Sequence, residues 1–169
     1  NSDMIWNYVN NFAKFDSFIN RPIAVYHDEV YNMPFNMNTF SRMWGIRTPK
    51  EAMDIIENQR HCFEGNPDDN LENKAISMVG IDVYEKLVKE YTEKQWGHSC
   101  KELPAWIISR LPVRFTYDNN YFTDKYQGIP RGGYTEMIKN MLSHAEVKLE
   151  TPYSSKFENC ADQIIYSGR

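Results

Sequence analysis

Helical periodicity in the middle of the chain, between segments of strand-like alternation, constrains the fold more than any other sequence feature. Residues 36–111 carry apolar side chains at helical spacing, together with helix caps and stop signals. Residues 21–34 and 112–168 contain shorter runs of β-favouring side chains that turn residues interrupt. The sequence therefore predicts a single α+β fold with a helical insertion between sheet segments.

The predicted helices begin at recognisable caps. Residues 48–51 place a cap residue, a proline and a glutamate in the order that opens a helix, and this helix is expected to run through Arg60. Residues 3–18 carry apolar side chains at helical spacing, with Ser2 or Asp3 as the N-cap. Further helices are expected over 38–44, 71–79 and 82–96, and directly after Gly132-Gly133.

The predicted strands are short. Residues 23–31 are β-favouring and are broken by three polar residues, which is typical of a hairpin. Between Val113 and Tyr117, apolar side chains alternate with polar ones, which predicts a strand with one buried face. Further short strands are expected at 126–129, 147–149 and 164–166.

Composition argues against several classes of partner. The 169 residues carry a net charge of -4 and a pI near 5.6, so no basic surface indicates nucleic acid or an anionic membrane. The most apolar stretch, Leu103–Ile108, is far shorter than the ~20 residues that cross a bilayer, and no secretory leader opens the chain. Scattered cysteines and histidines have no metal-ligand spacing. We expect a cytoplasmic protein without a metal.

No complete catalytic motif is present in the sequence. Arg131-Gly132-Gly133 is the nearest approach to a glycine-rich loop, and it is more typical of a tight turn into a helix. Aromatic and cationic side chains are interleaved between positions 91 and 121, which suits a ligand with a base and phosphates. The alternative is that these aromatics belong to the core and the arginines are solvated.

Several motifs, in chain order, closely resemble the UDP-galactopyranose mutase family. They are YTEKQWG at 91–97, LPA at 103–105, RLPVRF at 110–115, DNNYF at 118–122, and QGIP with GYT between 127 and 135. The resemblance extends from residues 6–10 to 166–168. It implies a central fragment of a three-domain FAD enzyme, in which a helical bundle is inserted between segments of an antiparallel sheet. Because the chain begins without Met and lacks the family's glycine-rich FAD loop, we expect a piece of a longer protein.

The resemblance implies an isomerase that interconverts UDP-galactopyranose and UDP-galactofuranose on reduced FAD, for cell-surface polysaccharide synthesis. This fragment, 1–169, would supply UDP-sugar binding, with a helical substrate-side subdomain at 36–111 and mainly sheet segments at 21–34 and 112–168. The full-length protein would be cytoplasmic, would bind neither nucleic acid nor membrane, and could form a homodimer. One alternative is a nucleotide-sugar binding module without catalysis. The other is a structural α+β piece that needs the neighbouring segments of the longer protein to fold properly.

The resemblance also implies roles for individual residues. Tyr91 matches the tyrosine that packs on uracil, Thr92 lies at the same pocket, and Trp96 borders the sugar. Arg110 matches an arginine on a mobile loop that closes over the diphosphate. Tyr121 matches a tyrosine whose hydroxyl reaches the phosphates.

Other implied features complete this set. Asn20 is a further candidate for lining the cleft, and residues 130–134 would run close to the flavin. No catalytic residue, and in particular no nucleophile, is expected in this fragment, and its cofactor-binding residues are unknown. Leu87 stands where enterobacterial relatives carry an aromatic one helical turn before the tyrosine, which would reduce a second stacking contribution of ~1–3 kcal/mol.

Overall fold

The computed structural model describes residues 2–168 and combines helices with two small antiparallel sheets, which confirms the α+β class. The α-helices are α1 (Asp3–Val9), α2 (Met37–Trp44), α3 (Pro49–His61), α4 (Leu71–Val79), α5 (Ile81–Val83), α6 (Glu90–Trp96) and α7 (Gly133–Met141). A π-helix, Tyr84–Lys89, joins α5 to α6, and 3-10 helices span Ala105–Arg110 and Ser155–Phe157. The strands are β1 (Phe15–Ser17), β2 (Ile23–Tyr26), β3 (Glu29–Asn32) and β4 (Gly128–Pro130).

The chain divides into two compact units. The inserted unit is Phe18–Gln127, and the split unit joins Asn1–Ser17 to Gly128–Arg169. Within the split unit β1 pairs with β4, so that Phe15 lies opposite Pro130 and Ser17 opposite Gly128. The chain therefore leaves the split unit at the end of one strand and returns to it at the start of that strand's partner.

The inserted unit contains the hydrophobic core. Its buried apolar residues come from strand β3, from α2 to α5, from the π-helix and the 3-10 helix at 105–110, and from the connecting residues Phe35, Cys100 and Leu103. Phe40 of α2 is fully buried, with its ring centroid 5.3 Å from that of Trp44 and 5.8 Å from that of Phe115. Burial of side chains of this size contributes about 1.5–3 kcal/mol each, so this cluster supplies most of the unit's stability.

Helix caps in the inserted unit follow the sequence closely. Thr48 and Glu51 form a reciprocal capping box at the start of α3, with Pro49 in the first turn, as predicted. Asn36 caps α2 by accepting hydrogen bonds from the N–H groups of Asn38 and Thr39. Its amide also donates to the carbonyl of Asp118 at 2.8 Å, so one buried side chain joins the helix to a distant loop.

The split unit has little buried surface. Among its described residues only Pro130 is buried. Ser2 caps α1 by accepting from the N–H of Ile5, and Asp16 of β1 forms an ion pair with Arg131. The apolar face predicted for α7 is present, yet this helix contains no buried residue.

Two predicted elements at the chain's beginning and middle are wrong. The helix expected over 3–18 ends at Val9, because Phe15 and the two residues after it pair with β4 instead. The strand expected over 113–117 is a single bridge between Val113 and Phe35. Its backbone groups bond to the segment that enters α2: the N–H of Arg114 donates to Phe35, and the carbonyl of Thr116 accepts from Met37.

The predicted strands near the C-terminus are also wrong. Residues 147–149 and 164–166 are not strands, and the segment between them contains a 3-10 helix at 155–157. Side chains there are solvent-exposed, reaching 81% for Leu149 and 90% for Ile165. A β-favouring run forms a strand only where a second strand satisfies its backbone groups, and none in the described chain does so here. The subdivision at 21–34, 36–111 and 112–168 stays a prediction.

Candidate functional site

Two cavities in the inserted unit share one wall. The first cavity has a volume of about 500 Å³ and the second about 600 Å³. The shared wall consists of Met33, Leu87, Tyr91 and Leu111, which line both. Volumes of this size are typical of small-ligand pockets, so the surroundings of Tyr91 form the strongest candidate site in the described chain.

The first cavity is largely apolar. Beyond the shared wall it is lined by Phe35, Val88, Thr92, Gln95, Trp96, Ile107 and Ile108. The described lining carries no charged side chain, and its polar groups are few and come mainly from α6. An apolar pocket with a few placed polar groups suits a flat ring that needs only a small number of hydrogen bonds.

The second cavity is more polar. It lies between strand β2 and the helical segment, and its remaining lining is Pro22, the four residues of β2, Lys86, Glu90, Lys94 and Tyr121. Two lysines and one glutamate give this lining a net positive charge. Tyr121 therefore lines the same cavity as Tyr91.

The helical segment from α5 to α6 positions the shared wall. Leu87 lies in the π-helix and Tyr91 in the first turn of α6, one helical turn later. Helical spacing directs Thr92 and Trp96 to one side of Tyr91, where both line the first cavity. The last turn is fixed by Gly97, whose left-handed conformation ends α6, and by Glu93, which accepts from the N–H of Cys100 at 3.0 Å.

Backbone contacts hold Tyr121 in place. Its N–H donates to the carbonyl of Asn20 at 2.9 Å, and the guanidinium of Arg114 donates to the carbonyls of Asn120 and Tyr121. Arg21 donates to the side-chain oxygen of Asn120 at 2.8 Å. Asn20 lines neither cavity and contributes through its carbonyl. Arg114 is one of the cationic residues between positions 91 and 121 that suit a phosphate ligand. In the structure its guanidinium is bonded to these two backbone carbonyls instead.

Arg110 lies outside both cavities. It is the exposed last residue of the 3-10 helix whose Ile107 and Ile108 line the first cavity. Within residues 2–168 its guanidinium has neither a hydrogen-bond nor an ion-pair partner. The structure therefore places Arg110 next to the site without a contact to it.

Sequence reasoning missed one charged cluster beside the second cavity. Glu29 accepts from the ammonium of Lys86 at 2.8 Å and from the hydroxyl of Tyr31 at 2.7 Å. The bond from Lys86 lowers the pKa of Glu29, and the same bond raises the pKa of Lys86. Burial, followed by the bond to Glu29, raises the pKa of Tyr31. Glu29 and Tyr31 are neighbours on β3, but no local pattern links them to Lys86, so only the fold could reveal this cluster.

The glycine-rich turn lies in the split unit. Gly132 and Gly133 both have φ near 87°, a conformation that favours glycine, and α7 follows directly. Arg131 is occupied by its ion pair with Asp16. Within residues 2–168, no group of three or more His, Cys, Asp and Glu side chains could hold a metal ion. No helix in the same range is long and apolar enough to cross a membrane.

Comparison with known proteins identifies a class and then a family. The class is that of the sugar-nucleotide pyranose mutases: the chain is 36% identical to a probable UDP-galactopyranose mutase of Klebsiella pneumoniae over 99% of its length. It is 37% identical to dTDP-fucopyranose mutase of Escherichia coli over 86%. The family profile described as UDP-galactopyranose mutase matches residues 86–169. The chain belongs to the UDP-galactopyranose mutase family, as its motifs predict.

These alignments also define how much of a relative the chain represents. It spans 44% of the K. pneumoniae protein and 39% of the E. coli protein. A UDP-galactopyranose mutase of Mycoplasma pneumoniae is 29% identical over 79% of the chain, which spans 33% of that relative. The chain is thus a fragment relative to these longer proteins, and the matched profile covers every candidate site residue except Asn20.

Proposed function

We propose that the protein containing this chain interconverts UDP-galactopyranose and UDP-galactofuranose, and that the chain supplies nucleotide-sugar binding. The arrangement at Tyr91 carries this proposal, because one exposed aromatic ring joins two cavities of ligand size. Trp96 and Thr92 adjoin it on one side and Tyr121 on the other. A base, a sugar and a diphosphate require such a combination of flat, apolar and polar surface.

In this proposal each candidate residue has a role. The uracil ring packs on Tyr91, with Thr92 beside it, and Trp96 borders the sugar. Tyr121 hydrogen-bonds a phosphate oxygen, held by the backbone contacts from Asn20 and Arg114. Arg110 reaches the diphosphate only if the 105–110 segment shifts, and this shift breaks no side-chain bond of Arg110 among the described residues.

Reduced FAD is the cofactor of the proposed reaction and supplies the electron-rich centre that reacts with the sugar's anomeric carbon. The open backbone at Gly133, where an added Cβ would meet nothing within 4 Å, is compatible with the approach of a flat group. This single feature does not build a site, and we assign no FAD ligand among the described residues. The contribution of this chain is to bind and orient the nucleotide sugar.

A second candidate substrate is dTDP-fucopyranose. The E. coli relative named for that substrate is about as similar to this chain as the K. pneumoniae relative. Both substrates are pyranose sugars on a pyrimidine nucleoside diphosphate, so the same cavities would serve either one. The other alternative, binding without catalysis, predicts nucleotide affinity but no mutase turnover in the complete gene product. A homodimer and a role in cell-surface glycan synthesis remain part of the proposal.

The decisive test replaces Arg110 by alanine in the complete gene product. A charge-assisted hydrogen bond contributes about 1.5–3 kcal/mol, so Arg110→Ala should weaken UDP-galactose binding at least about tenfold. Arg60→Ala removes a similarly exposed arginine that lines neither cavity, and it should leave binding unchanged. Equal affinity and turnover in Arg110→Ala and the parent would refute the role of Arg110.

Tryptophan fluorescence tests the sugar side of the site. UDP-galactose should change the emission of Trp96, because this half-exposed ring lines the first cavity. Because Trp106 lies in the 105–110 segment that is proposed to shift, the variants are compared in a Trp106→Phe background. There, Trp96→Phe should lose the ligand-induced change, whereas Trp44→Phe, at a core position, should retain it. If the change persists in Trp96→Phe, Trp96 does not border the ligand.

The 169-residue chain alone offers a further test. It should be colourless and inactive, even with added FAD, and should bind UDP no more tightly than the high-micromolar to millimolar range, about 4–6 kcal/mol. A visible spectrum, a turnover assay and an NMR titration with UDP measure these properties. Bound yellow flavin or measurable turnover would contradict the proposal that this chain supplies nucleotide-sugar binding but neither FAD binding nor catalysis.

A further inference from the structure

The shared wall has one aromatic member and three aliphatic ones. Tyr91 is 68% exposed, whereas Leu87, one helical turn before it, is 8% exposed. Met33 and Leu111 are the other two residues of the shared wall and also line both cavities. A flat ring stacked on Tyr91 therefore meets aliphatic side chains, and the shared wall holds no second aromatic ring to sandwich it.

The residues one helical turn before and one helical turn after Tyr91 differ in polarity. Gln95 is four residues after Tyr91 and Leu87 four residues before it, and all three line the first cavity. Residues four apart lie above one another on the same helix face. A ring on Tyr91 thus has an amide toward one end of the helix and an isobutyl group toward the other.

A pyrimidine base has the same asymmetry. Its carbonyl and imide groups occupy one edge, and carbon C5 lies on the opposite edge. Since buried polar groups need hydrogen-bond partners, the polar edge faces Gln95 and Thr92, which directs C5 toward Leu87. We propose that this site prefers a pyrimidine with a methyl group at C5, as in thymine, over uracil. The inference rests on the proposed nucleotide-sugar function and, of its two candidate substrates, favours the thymine nucleotide sugar dTDP-fucopyranose over UDP-galactopyranose.

The expected preference is modest and measurable. Burial of one additional methyl group against aliphatic surface corresponds to about a fourfold gain in affinity. The ligand pair that isolates this group is UDP and 5-methyluridine diphosphate, because the two differ by one methyl and share the ribose. Calorimetric titration of the complete gene product should give about fourfold tighter binding for the methylated nucleotide.

Variants at Leu87 test whether the shared wall causes the preference for a methyl group at C5. Leu87→Phe fills the space beside the ring, so the affinity ratio should fall to about one while UDP binding is retained. Leu87→Met conserves volume and aliphatic character, and the ratio should persist. Leu142→Phe makes the same exchange at a residue that lines neither cavity and should leave the ratio unchanged.

The outcomes separate this inference from the function on which it rests. Binding of both nucleotides with equal affinity, or tighter binding of UDP, overturns the methyl preference and leaves the proposed function standing. Absence of binding by both nucleotides overturns the two together. The comparison of the two ligands on the parent protein needs no variant, so a folding defect in Leu87→Phe does not affect it.

Discussion

The inserted unit and the split unit contain similar kinds of side chain but bury them very differently. Every buried apolar residue that forms the core belongs to the inserted unit. In the split unit the described secondary structure is held by a helix cap, a three-residue strand pair and the Asp16–Arg131 ion pair. Apolar residues at helical spacing, as in α7, therefore do not by themselves provide a core.

The largest expected difference is between aromatic truncations in the two units. Phe40→Ala removes a fully buried ring and should lower the free energy of unfolding by about 3–5 kcal/mol. Phe15→Ala removes a half-buried ring whose centroid lies 4.9 Å from that of Trp6, and it should cost less than about 1.5 kcal/mol. Urea denaturation measures both, and equal losses would contradict the unequal burial.

Helix caps provide the next comparison. Asn36→Ala removes a fully buried N-cap together with its hydrogen bond to the carbonyl of Asp118, so a loss of about 2–3 kcal/mol is expected. Ser2→Ala removes an exposed cap and should cost about 0.5–1 kcal/mol. Asn36→Asp keeps the capping oxygen but loses the amide donor, and its stability should lie between those of the parent and Asn36→Ala.

Ligand binding should stabilise only one of the units. At ten times its dissociation constant, UDP is expected to stabilise the inserted unit by about 1.4 kcal/mol, through its preference for the folded site. Amide hydrogen exchange should slow in α6 and around Tyr121, with no change in α1 or α7. Slower exchange in α7 would show that the ligand also depends on the split unit.

The smallest expected effect is on acid stability, where one paired carboxylate from each unit can be compared. The bond from Arg131 lowers the pKa of Asp16, and that from Lys86 lowers the pKa of Glu29. A lowered carboxyl pKa contributes stability that is complete above the ordinary value, 3.8 for Asp16 and 4.5 for Glu29, and that is lost as pH falls through the lowered value. Arg131→Met and Lys86→Met should each return the partner's pKa toward its ordinary value, as carboxyl NMR titration would measure.

The sequence predicts the elements whose signals are local. The capping box at Thr48, the hairpin at 23–31 and the stop at Gly80 depend on residues within a few positions of each other, and the structure confirms all three. The strands expected at 113–117 and 164–166 depend on a distant partner, which alternation cannot specify. The segment at 113–117 instead bonds to the entrance of α2.

The candidate site also combines residues that are linked by local sequence with residues that only the fold brings together. The family resemblance singles out Tyr91, Thr92 and Trp96, and the helix predicted over 82–96 already places these three residues close together. The role of Arg114 depends on loop carbonyls whose positions come from the fold, and its sequence neighbours give no indication of it. The pairing of Lys86 with Glu29 is likewise a product of tertiary structure.

The π-helix at Tyr84–Lys89 has a consequence for insertions and deletions. Such a turn holds one residue more than an α-helical turn and absorbs it locally, so the helix before and after the turn keeps its rotational register. Deletion of one residue there would restore a regular α-helix and leave Tyr91 and Trp96 facing their cavities. A one-residue gap between Tyr91 and Trp96, by contrast, would rotate one ring relative to the other by about 100° and so mark a change in the binding surface.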